Sequence, residues 1–103
     1  MSDKLPNGND KFVIQLMIGK KEFPITIRRD EEEVYRKAAK QINEKLNRYE
    51  QAYPNLEPER YTSVVMLDLA VRNLLISKEH DQTPYDDLAD RLTQEIDELL
   101  GQR

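Results

Sequence analysis

A chain of 103 residues that is 38% apolar and 35% charged has room for one small domain with a thin core, and self-association is the natural way to thicken it. Its net charge of −4 argues against general nucleic-acid binding, which needs cations clustered against phosphate. The lack of cysteine excludes a disulfide framework, a thiolate nucleophile and a zinc ribbon. The charge is unevenly spread, since residues 1–56 carry 11 basic and 9 acidic groups while residues 57–103 carry 5 and 11, so the first half is the cationic one.

No apolar signal core opens the chain and no apolar run is long enough to span a bilayer, so a soluble, cytoplasmic protein without membrane contact is expected. Residues 1–10 mix charge with Pro6 and Gly8 and show no period, which predicts a flexible tail. From Lys11 the period becomes two. Phe12, Ile14, Leu16 and Ile18 alternate with Val13, Gln15 and Met17, which predicts a strand with the Phe12 face buried.

Gly19-Lys20-Lys21 is the predicted tip of a hairpin, and Phe23, Ile25 and Ile27 form the returning strand. Pro24 lacks an amide hydrogen and places that strand at an edge or a bulge. A lone two-stranded hairpin is marginal in water, so its apolar face must lie on a helix, and its other strand is a candidate to pair with a second copy. Asp30 through Glu33 reads as a helix start, with Asp30 as cap and Glu33 at the capping-box position. Val34, Tyr35, Ala38, Ala39, Ile42, Leu46 and Tyr49 then keep helical spacing as far as Ala52, with the small alanine pair allowing close approach to a neighbour.

Pro54 and Pro58 end this helix and start the next near Glu59. The stretch Glu59–Glu79 is the longest apolar-rich segment and has neither Gly nor Pro, so a helix to about His80 is expected. Asp81 through Pro84 interrupts it, with Thr83 as a possible cap, and Tyr85, Leu88, Leu92, Ile96 and Leu99 resume a narrow stripe that ends at Gly101. Counting sevens from Val64 carries one heptad frame across the break: Val64, Val71, Leu92 and Leu99 share one seam position, and Leu67, Leu74 and Leu88 the other. This frame favours a nearly continuous coiled coil. The fold class is therefore α+β: a hairpin and first helix as a small head over 11–56, then a long helix and coiled-coil stalk over 57–103, interrupted near 81–84.

Chemistry-bearing patterns are sparse. His80 stands without a second His or Cys to complete a metal site or a catalytic pair. Asp86, Asp87 and Asp90 lack the spacing and the turn glycine of a calcium loop, and the three glycines are isolated, so no phosphate loop exists. Neither cofactor nor catalytic residue is expected. Tyr35, Tyr49, Tyr53 and Tyr61 sit at helical spacing and read as packing residues at a helix junction. A small helical enzyme would need Arg72, the one guanidinium within the long apolar seam, to face an enclosed pocket together with a second cation.

Three segments in series, IQLMIGKKEFPITI, EEEVYRKAAKQINEKL and VVMLDLAVRNLLISKE, resemble the ZapA family of bacterial cell-division proteins over about Phe12 to Glu79. The resemblance implies a dimerising head and a coiled-coil stalk through which two dimers join as an antiparallel tetramer. It also implies binding to the tubulin-like GTPase FtsZ at midcell and cross-linking of its protofilaments, with no catalysis. The interruption at Thr83-Pro84 and the end at Arg103 imply a shorter or kinked stalk.

FtsZ is acidic by the same resemblance, so Lys20 and Lys21 at the hairpin tip, with Arg48 and Arg60 near the helix junction, are its candidate contacts. Self-association falls to Val64, Leu67, Val71, Leu74, Leu88, Leu92, Ile96 and Leu99. Two other readings stay open: a coiled-coil adaptor for a different protein, and the helical enzyme.

Overall fold

A computed structural model describes residues 10–77 and 87–101. The expected tail over 1–10 except Asp10, the interruption at 81–84, His80 and the Thr83 cap lie outside the described residues. The class is α+β as expected: strands β1 (Lys11–Ile18) and β2 (Lys21–Arg28), then helices α1 (Glu32–Ala52), α2 (Pro58–Ile76) and α3 (Leu88–Gly101). The chain divides into two compact units, Met1–Lys45 and Leu46–Arg103, and α1 contributes turns to each.

In the first unit the two strands pair antiparallel in a register that sets Phe12 opposite Ile27, Ile14 opposite Ile25 and Leu16 opposite Phe23. The period of two then delivers one apolar face. Ile14, Leu16 and Ile27 are buried against Ala39 of α1, with Phe12, Ile18 and Ile25 around them. Alanine has no bulk beyond Cβ, which lets the helix lie close to the sheet.

The expected three-residue tip is corrected to a two-residue loop, Gly19-Lys20, because Lys21 already pairs with Ile18. Gly19 has φ +66° while Lys20 has no positive φ, the geometry of a type II′ turn that glycine at the first central position makes cheap.

The expected cap also moves. A 3-10 turn over Arg29–Glu31 precedes α1, and the Arg28 backbone N–H donates to Glu31 Oε1 at 2.9 Å. The Arg28 guanidinium meets Asp30 at 3.2 Å, and that of Arg29 lies 4.4 Å from the centre of the Phe12 ring. Asp30 and Glu33 are thus displaced from capping by this extra turn. Glu33 instead pairs with Lys37 at 3.0 Å, beside a Glu32–Arg36 pair at 2.8 Å. Both pairs are exposed, so each adds a few tenths of a kcal/mol to the helix.

In the second unit the loop after α1 is held by one side chain. The Tyr61 hydroxyl accepts from the Leu56 N–H at 3.1 Å and donates to the Tyr53 carbonyl, while Asn55 takes φ +70°. Pro58 occupies the first turn of α2, where its missing N–H costs nothing. The helix ends at Ile76, short of the expected His80, with the Ser77 N–H bonded to the Asn73 carbonyl.

Tyr61 and Val64 of α2 share one core with Leu92, Ile96 and Leu100 of α3, edged by Leu46, Tyr49, Tyr53, Leu56 and Val71. This corrects the continuous heptad frame, in which an unbroken helix would separate Val64 from Ile96 by about 48 Å. The physical reason is that an isolated helix as short as α3 is marginal in water. Its stripe at steps of four gains more from packing on α2 than from extending the chain.

Candidate partner-binding surfaces

At the hairpin tip Lys20 and Lys21 are adjacent and exposed. The tip is anchored from α1: Asn43 Oδ1 accepts from the Gly19 N–H at 2.7 Å, and Asn43 Nδ2 donates to the Met17 carbonyl at 2.9 Å. A helix cannot present its own backbone to a strand, but an amide side chain carries one acceptor and one donor and substitutes for it. Lys20 is thereby carried on a loop with a fixed backbone, and Lys21 follows it as the first residue of β2. Arg48 and Arg60 belong to the other unit, Arg48 near the end of α1 and Arg60 in the first turn of α2, and both are exposed. The four expected contacts thus fall into one adjacent pair and two residues of the second unit.

The expected self-association residues divide according to where the second unit's own core lies. Val64, Leu92 and Ile96 are used inside it, and Val71 and Leu88 are half-buried. Leu67, Leu74 and Leu99 keep 43%, 53% and 42% of their surface exposed. Leu67 and Leu99 come together with Arg60, Ser63 and Val64 along one open groove. Met66 and Ile76 are exposed as well, so α2 shows water an apolar surface in addition to the one it buries. Sequence reasoning placed Leu99 in the stripe where Leu100 is buried; adjacent leucines fit a helical period equally well, and only the approach of α2 distinguishes them.

One charged side chain enters this unit's interior. Asp68 retains 1% of its surface, accepts the Tyr49 hydroxyl at 2.6 Å and pairs with Arg72 one turn along α2. Burial, then the hydrogen bond to the carboxylate, pushes the Tyr49 phenol well above its ordinary range, so it stays protonated and donates. Tyr53 is pushed up too, by desolvation first and by Asp97 second. Arg72 is thus paired with a carboxylate where the enzyme reading needed it beside a second cation in an enclosed pocket. Tyr49, Tyr53 and Tyr61 meet in one cluster as expected, whereas Tyr35 is exposed in the first unit. Neither Asn43 nor Asp68 was singled out from the sequence. Asp68 stands between two leucines, Leu67 and Leu69, and Asn43 between Ile42 and Glu44, neighbours that do not name a distant partner.

Among the described residues no helix is long and apolar enough to cross a membrane. The family model described as "Cell division protein ZapA" matches residues 14–101. No curated protein and no solved structure matches the chain significantly.

Proposed function

Since the chain belongs to the ZapA family of cell-division proteins, a family associated with the FtsZ ring, we propose that it is a non-enzymatic cytoplasmic scaffold that binds FtsZ and cross-links its protofilaments at the division site. The observation that carries this reading is the family match itself, which spans both compact units. Cross-linking needs at least two filament-binding surfaces in one particle, and self-association supplies them without further binding chemistry.

Recognition is assigned to Lys20 and Lys21 at the hairpin tip as first contacts, with Arg48 of α1 and Arg60 of α2 as further contacts. The head forms a homodimer, supported by the first part of the long helix, and the distal seam of 57–103 joins two dimers as a tetramer. A leucine left in water contributes when a second copy covers it, so Leu67, Leu74 and Leu99 support this division of labour. The test is sedimentation of FtsZ filaments with and without the protein, with electron microscopy of the pellet. More FtsZ in the pellet and closely spaced filament bundles are expected. An unchanged pellet with unchanged filament spacing would refute the reading.

A further inference from the structure

The seam of α2 is already covered in the folded chain. α3 runs back along it: Leu99 lies in the groove with Glu59, Arg60 and Ser63 in the first turns of α2, and Leu100 and Gly101 reach the loop that joins α1 to α2. Leu92 and Ile96 close on Tyr61 and Val64, with Val71 at the edge of the same core.

Three residues of this core, Val64, Leu92 and Ile96, belong to the set expected to join copies, and they keep 4%, 5% and 1% of their surface. Side chains so enclosed have almost no apolar area left to give a second copy. For the distal seam to join two dimers, α3 must therefore first leave α2.

What it leaves can be replaced without loss. Every copy carries the same α3, so α3 of a second chain fits the uncovered α2 with the contacts of the closed chain, Leu92, Ile96 and Leu100 on Tyr61 and Val64. Two differences remain. Residues 77–87 tether α3 to its own α2, which sets its effective concentration there on the order of millimolar and favours the closed chain. Exchange, in turn, brings a second α2 alongside the first, and Leu67 and Leu74, exposed in the closed chain together with Met66 and Ile76, gain a cover. The first difference belongs to one chain and the second needs a neighbour, so the concentration of copies decides between the two forms.

We infer that α3 is an exchangeable cover. A dispersed dimer holds each α3 on its own α2 and keeps the distal seam masked, and two dimers join when α3 moves to the same place on a chain of the other dimer. The fold thereby withholds the larger assembly until copies are gathered. The inference rests on the tetramer of the proposed function, and FtsZ does not enter its test.

The chain has no cysteine, and Ala52 and Gly101 are exposed, line one cavity and lie outside the set expected to join copies. A Cβ at Gly101 would meet Tyr53 at 3.9 Å, an ordinary contact, so Ala52→Cys with Gly101→Cys sets two thiols across the junction of α3 with the end of α1 in the full-length protein. A short bis-maleimide with a reducible centre joins them within one chain when α3 is closed and between two chains when it is exchanged. Treated at a dilution where ultracentrifugation gives the dimer, the protein is expected to run as single chains on a non-reducing denaturing gel. Treated where the mass is that of the tetramer, it is expected to run as covalently joined chains, in proportion to the tetramer present.

The protein bridged at dilution is then concentrated. It is expected to remain a dimer while the bridge is intact and to form the tetramer once the bridge is reduced, as the unbridged variant does. A tetramer that forms with the intrachain bridge in place would overturn the inference, as would bridging between chains at dilution or bridging only within chains in the tetramer. If the unmodified protein never exceeds a dimer, the proposed tetramer fails and the inference with it, whereas a tetramer indifferent to the bridge sinks the inference alone.

Discussion

Ile96 and Leu99 belong to one apolar stripe in the sequence and to different environments in the folded unit, so truncating each of them tests the packing of α3. Ile96 retains 1% of its surface and Leu99 retains 42%. Ile96→Ala deletes fully enclosed carbons and leaves a cavity, which costs about 2–4 kcal/mol. Leu99→Ala removes a half-wet side chain and costs the unit about 1 kcal/mol or less. For a chain of this size 1 kcal/mol moves Tm by about 4–8 °C, so Ile96→Ala is expected to lower it by roughly 10–20 °C and Leu99→Ala by a few degrees.

Leu100, also 1% exposed, should behave like Ile96 although the expected stripe does not include it. The assay is thermal unfolding followed by circular dichroism, at one concentration and again after tenfold dilution. Self-association makes Tm depend on concentration, whereas packing inside the unit does not. Equal losses at Ile96 and Leu99, or a Leu100→Ala variant as stable as the parent, would refute the packing of α3 on α2.

Tyr49→Phe removes the hydroxyl that donates to Oδ2 of the buried Asp68 carboxylate and should cost about 1–3 kcal/mol in urea unfolding. Because the folded phenol has a raised pKa, the native state holds this proton more tightly than the unfolded chain. Its contribution is complete below the ordinary tyrosine value and declines as pH rises above about 10. The parent should therefore lose stability in that alkaline range more steeply than Tyr49→Phe, a difference that denaturation at several pH values will show. Reversing both tip charges, Lys20→Glu with Lys21→Glu, should weaken FtsZ co-sedimentation on the order of tenfold at low salt and less at high salt, with the oligomer mass unchanged. Leu67→Glu with Leu74→Glu should lower the mass seen by analytical ultracentrifugation while helix content stays constant, because both side chains are already half in water.

The strands were legible because a period of two has one reading when one face is apolar, and Pro58 marked the start of α2 because its lack of an amide hydrogen is tolerated only at a helix start. The cap was less legible: Asp30 and Glu33 satisfy the capping pattern, but a 3-10 turn shifts the role to Glu31, and acidic residues in series fit either frame. The return of α3 was hidden for a deeper reason. A stripe of leucines states that a face will be covered and says nothing of whether its cover is the same chain or another. The candidate site divides in the same way. Lys20 and Lys21 followed from the glycine turn, whereas Asn43 and Asp68 act through partners 26 and 19 residues away in sequence, Met17 and Tyr49, which no local pattern reports.

That distant pairing bears on which surface α2 leaves outside. The helix is apolar on more than one side: Tyr61, Val64 and Val65 are inside, and Met66, Leu67, Leu74 and Ile76 are outside. Burial of either set gains a comparable transfer free energy, so apolar area alone does not choose the rotation of the helix about its axis. Hydrogen bonds do choose, because they fail within a fraction of an ångström. Turning α2 by one residue, about 100°, would carry the Tyr61 hydroxyl away from the Leu56 N–H and the Tyr53 carbonyl, and Asp68 away from Tyr49. Each group left unpaired away from water costs about 1–3 kcal/mol, and together these costs exceed any gain from burying one leucine in place of another. The polar contacts inside the second unit therefore hold Leu67 and Leu74 on its surface. These are the leucines that the proposed self-association would cover, and the buried carboxylate helps to fix which face of the helix stays outside.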